Sequence, residues 1–66
     1  MAKREWLKEA RLKAGLSQAK LAREVGCECI TIEKLEAGTR NPGRDLVFRI
    51  SKRLGTDPML FHNDTA

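Results

Sequence analysis

A join of only about three residues, containing Gly26, separates two helical apolar stripes. The first stripe is Leu21, Ala22 and Val25, at i, i+1 and i+4. The second is Ile32 and Leu35. So short a turn makes the two helices cross steeply and forbids an antiparallel hairpin. Ala22 then has a reason to be small, because it lies where the two helices nearly touch. This elbow constrains the fold more than any other feature of the chain.

The rest of the chain is punctuated in the same way. The spacing predicts a first helix from about Lys3 to Lys13, with Leu7, Ala10 and Arg11 on one face, Trp6 beside them and Gly15 as its stop. Ser17 caps a second helix, Gln18 to Val25. A third runs from about Glu28 to Ala37, closed by Gly38, and leaves Glu28, Cys29, Glu33 and Lys34 facing out. Thr39 to Gly43 is a loop by composition. A fourth helix, Arg44 to Leu54, carries Val47, Ile50 and Leu54 inward and stops at Gly55. Asp57-Pro58 reads as an N-cap and first-turn proline for a short last helix through Met59, Leu60 and Phe61, with His62 to Ala66 frayed. No segment alternates as a strand does. The expected class is all-α: one compact five-helix domain filling residues 1–66.

Several functions are excluded by size and composition. No apolar run approaches the roughly 18 residues that cross a bilayer, and the opening Met1-Ala2-Lys3-Arg4-Glu5 is no signal peptide. Cys27 and Cys29 are too few and too close for a disulfide scaffold, so a cytoplasmic protein with reduced thiols is expected. A chain of 66 residues has little material for a pocket of about 300 Å³ beside a core, so no enzyme and no catalytic residue is expected. Lys and Arg outnumber Asp and Glu by 13 to 9, a net +4 that suits a polyanionic partner.

The elbow sits in a longer frame: Gly15-Leu16-Ser17-Gln18, Leu21-Ala22, Gly26, Ile32, Leu35-Glu36, Gly38, Arg40-Asn41-Pro42 and Ile50 with Leu54-Gly55. Over about residues 4 to 62 this frame closely resembles the Cro/C1-type (XRE) helix-turn-helix regulators, phage repressors among them. The resemblance implies a lambda-repressor-like DNA-binding domain that binds a palindromic double-stranded operator as a homodimer, with its third helix in the major groove. That groove, about 12 Å wide, admits one helix. The second helix would aim its N-terminal N–H groups and the Gln18 side chain at a phosphate.

The same resemblance assigns the reading residues to Glu28, Cys29, Ile30, Thr31 and Lys34. Lys34 can donate to guanine, Glu28 can accept from cytosine N4, and Ile30 can pack on a thymine methyl. The helix departs from the usual pattern in its acid: Glu28, Glu33 and Glu36 against Lys34 alone. Positive charge must come from its flanks, so Lys20, Arg40 and Arg44, with the Asn41 side chain, are the expected phosphate clamps. Glu36 is expected to pair with Arg11 in a partly buried lock between the first and third helices. Lys3, Arg4, Lys52 and Arg53 read as solvated charges.

Met59, Leu60 and Phe61 are the expected dimer contact, although Phe61 also has the position of a core-closing residue. Trp6 reads as a core or cover residue. Cys27-Glu28-Cys29 lacks the further ligands that zinc needs, so neither metal nor cofactor is expected. Cys27 should tuck toward the core and Cys29 point out. Phage, mobile-element, restriction-controller and toxin–antitoxin settings all fit, as does a protein partner that modulates the regulator. The alternative reading is an antitoxin- or antirepressor-like module whose acidic third helix binds protein.

Overall fold

The computed structural model describes residues 3–64, which form five helices and, among these residues, no strand. They are α1 (Glu5–Lys13), α2 (Gln18–Val25), α3 (Cys29–Ala37), α4 (Arg44–Leu54) and α5 (Met59–Asp64). α2 is central: it packs against both α3 and α4, while α1 lies on α3.

The ends of α1 to α4 share one device. Gly15, Gly26, Gly38 and Gly55 all adopt positive φ, at 73°, 77°, 79° and 70°. After each, the next amide donates back five residues: Leu16 to Arg11, Cys27 to Ala22, Thr39 to Lys34 and Thr56 to Ser51. The left-handed residue thus satisfies carbonyls that a helix end would otherwise strand. At the other ends, the Ser17 hydroxyl accepts from the Lys20 amide at 3.0 Å. The Asp57 carboxylate accepts from the Met59 amide at 2.9 Å, in keeping with the Asp57-Pro58 reading.

Leu7, Leu21, Ile32, Leu35 and Ile50 are fully enclosed, and Leu16, Ala22, Val25 and Phe61 complete the core. Trp6, Leu46, Val47 and Leu54 cover it from partly exposed positions. Trp6 meets the Phe61 ring edge-on, with centroids 4.8 Å apart and planes at 77°.

Three boundaries differ from the sequence expectation. α1 starts at Glu5 because Arg4 leaves helical geometry (φ −88°, ψ 75°) to send its side chain elsewhere. α3 starts at Cys29 because Glu28 is extended (ψ 152°) as the residue entering the helix. α5 continues to Asp64, so His62 and Asn63 are helical rather than frayed; Thr65 and Ala66 lie outside the described residues.

A Cβ on Gly26 would meet only the end of Arg49, at 3.5 Å, so the space there tolerates alanine and the backbone does not. Gly26→Ala is therefore expected to cost about 1 kcal/mol from the left-handed φ alone. Thermal unfolding followed by circular dichroism should show a midpoint lower by about 4–8 °C.

Candidate nucleic-acid interface

α3 divides into two faces. Inward, Ile32 and Leu35 are fully buried. Outward, Cys29, Ile30, Glu33 and Lys34 are exposed, Thr31 is half-buried, and Glu28 is exposed at the helix entrance. The elbow therefore presents the N-terminal half of α3 to solvent on a fixed base.

That base is polar. Glu36 is 8% exposed and Arg11 6%, and they pair through two bonds, Nε to Oε2 at 2.5 Å and Nη2 to Oε1 at 3.2 Å. Arg11 Nη1 also donates to the Leu16 carbonyl at 2.8 Å. Gln18 Nε2 donates to Glu36 Oε1 at 3.1 Å. The expected Arg11–Glu36 lock is present, and it includes α2 as well. Gln18 thus turns inward in part: one amide hydrogen is committed to Glu36, and one remains for an external acceptor. The Lys20 amide is likewise already held by Ser17.

Arg4 corrects the sequence reading outright. It is 3% exposed, not solvated. Its Nη1 donates to the carbonyls of Leu35 at 2.7 Å and Arg40 at 3.0 Å, and its Nη2 to Asn41 Oδ1 at 2.7 Å. Its amide donates to the Glu36 carbonyl at 2.8 Å, and its guanidinium lies over the Phe61 ring. Arg53 is exposed, as expected of a solvated charge, and at the surface it pairs with Glu24, tying the end of α4 to α2. A single arginine near a terminus carries no periodic signal, so neither partner set is visible in the sequence.

Lys20, Lys34, Arg40, Asn41 and Arg44 are exposed. They come from the start of α2, from α3, from the 39–43 loop and from the start of α4. Gly43 provides no side-chain cap, so side chains leave the first amides of α4 unclaimed. Burial pushes the Cys27 thiol up; Arg40 opposes this, and Cys29 and Glu28 reinforce it. Among the described residues no three His, Cys, Asp or Glu gather as a metal site.

The α5 end also needs correction. Phe61 is 3% exposed, so it is core and not available as a dimer contact. Met59 is exposed and Leu60 half-buried. Phe48, on the outer side of α4, is 71% exposed. An aromatic outside the Val47–Ile50–Leu54 stripe was the signal for it. A groove of about 440 Å³ opens beside this region, lined by Pro42, Arg44, Val47, Pro58, Met59, Phe61 and His62. Its volume exceeds what the chain length suggested, because the space lies on the surface and takes nothing from the core.

The Helix-turn-helix family matches residues 7–61, most of the chain. The chain belongs to the Cro/C1-type helix-turn-helix family. As a member it is a DNA-binding transcription regulator. Among solved structures it resembles the restriction-modification controller protein C.AhdI from Aeromonas hydrophila, with a TM-score of 0.73 and 29% identity over 83% of this chain and 80% of that one. No curated protein sequence gives a significant match. No helix among the described residues is long and apolar enough to cross a membrane.

Glu36→Ala leaves the Arg11 guanidinium buried without its carboxylate, a change expected to cost about 3–5 kcal/mol. That is a large share of a small domain's stability. The double variant Arg11→Met/Glu36→Leu should recover most of the loss in urea unfolding, because no lone charge remains. With a disulfide reagent, exposed Cys29 should react first and Cys27 slowly. The slow phase should accelerate as pH rises past the ordinary thiol range, and Cys29→Ser should abolish the fast one.

Proposed function

We propose that residues 4–62 act as one DNA-binding domain, that the chain works as a homodimer on a palindromic operator, and that it represses by obstructing polymerase there. One observation carries this reading: the N-terminal half of α3 is exposed while its other face is pinned by Leu35, Ile32 and the buried Arg11–Glu36 pair. A probe held this way enters a major groove without rearrangement.

The roles follow from chemistry and placement. Lys34 donates to a guanine edge, Glu28 accepts from a cytosine amine, and Ile30 and Cys29 supply apolar contact, with Thr31 at the margin. Lys20, Arg40, Asn41 and Arg44 grip phosphates on both sides, with the second amide hydrogen of Gln18. The uncapped start of α4 adds backbone N–H groups to the same grip. Met59 and Leu60 form the dimer contact, which sets two α3 helices about 34 Å apart, one turn of DNA. Likeness to a restriction-modification controller supports promoter control in such a system, carried out on cytoplasmic DNA.

Selection of bound duplexes from a random pool tests this. A site with two-fold symmetry is expected; failure to retain any duplex in dilute salt overturns the reading. Lys34→Ala should relax preference at one base pair per half-site, by about 1–3 kcal/mol. Arg40→Ala and Arg44→Ala should weaken binding evenly across sequences and lower the salt slope by about one each. Met59→Asp should shift the protein to monomer in sedimentation and weaken operator binding.

A further inference from the structure

We infer that Arg4 is a positioning residue for DNA binding: it fixes the 39–43 loop and turns the Asn41 amide so that Nδ2 is its outward donor to phosphate. The inference rests on the proposed DNA reading. Its central observations are separate and concern Arg4, which is buried.

The geometry is specific. Arg4 is 3% exposed and spans two elements, reaching the Leu35 carbonyl at the end of α3 and the Arg40 carbonyl in the loop, at 2.7 and 3.0 Å. A planar guanidinium that holds both carbonyls fixes the loop against α3. Its Nη2 donates to Asn41 Oδ1 at 2.7 Å. A guanidinium has no acceptor, so the flipped amide would set donor against donor. Only one orientation of Asn41 is allowed, and it leaves Nδ2 on the far corner of an exposed side chain. Arg40 and Arg44 flank Asn41 in sequence and are exposed as well. The loop and the first residue of α4 thus offer two cations and an oriented amide, a set suited to a phosphodiester.

A double-variant cycle on DNA affinity tests this. The probe is a mixed-sequence duplex in low salt, which samples phosphate contacts whatever its sequence. Asn41→Ala should weaken binding about tenfold, the loss of one hydrogen bond to a charged group. Arg4→Met should weaken it by at least as much. The two together should do no worse than Arg4→Met alone, because Arg4 acts through Asn41. Losses that multiply overturn the inference, since a general structural role for Arg4 adds to the Asn41 loss instead of absorbing it. Asn41→Asp supplies a second readout: its carboxylate still accepts from Arg4, so the melting temperature should hold while DNA binding falls below that of Asn41→Ala. Should Arg4→Met melt below the assay temperature, Arg4→Lys runs the same cycle. One ammonium cannot span both carbonyls and Asn41, so the same non-additivity is expected. A wild-type protein that ignores the duplex overturns the DNA reading, and the Arg4 role falls with it. Wild-type binding with multiplicative losses overturns the Arg4 role alone.

Discussion

The Glu36 carboxylate lies at the meeting of α1, α2 and α3. Taken out of water, a carboxylate is costly unless its lone pairs are used. Here Arg11 donates twice and Gln18 once. The net stability of such a group is modest, since an apolar replacement of the same shape would do nearly as well. Its worth lies in direction. Each bond has a required geometry, so the three helices meet at one set of angles where hydrophobic contact alone would accept several. The exposed half of α3 inherits that definition, and any role it has in reading a surface depends on it.

Charge on the outer face is divided by element. α3 and its entrance expose Glu33 and Glu28 beside Lys34, while Lys20, Arg40 and Arg44 stand on neighbouring segments. A uniformly basic probe would bind any duplex. An acidic probe with basic flanks binds well only where the carboxylates meet amines, such as cytosine N4, and is repelled where they meet acceptors. On the proposed reading the flanks supply affinity and the carboxylates supply rejection.

How much of this was legible follows from the range of each interaction. The helices were readable because their stops are local: a glycine with positive φ follows each of the first four, and Ser17 and Asp57 open two. The inward faces followed from spacing. The Arg11–Glu36 pair was reached through family resemblance, since nothing local joins residues 25 apart. Arg4 was misread for the same reason. Its partners lie 31, 36 and 37 residues away, and only the folded chain brings them near. The start of α1 was misplaced as a consequence, because Arg4 leaves the helix to make those bonds. Phe61 and Phe48 show the limit of composition. Both are apolar and near one end, yet one closes the core against Trp6 and the other is open to water.

α1 itself contributes no residue to the proposed interface, yet both buried arginines stand on or beside it. Arg11 reaches the C-terminal end of α3, and Arg4 reaches that end and the following loop. The two segments expected to touch DNA are therefore referenced to a common third body. In a core this small, apolar packing is too sparse to hold a loop and a helix end in register. Directional bonds to buried guanidinium groups do so with few residues. The physical role of α1 is then to keep the distance between the α3 face and the 39–43 loop constant. A rigid duplex rewards that constancy, because its groove edge and its phosphates are themselves a fixed distance apart.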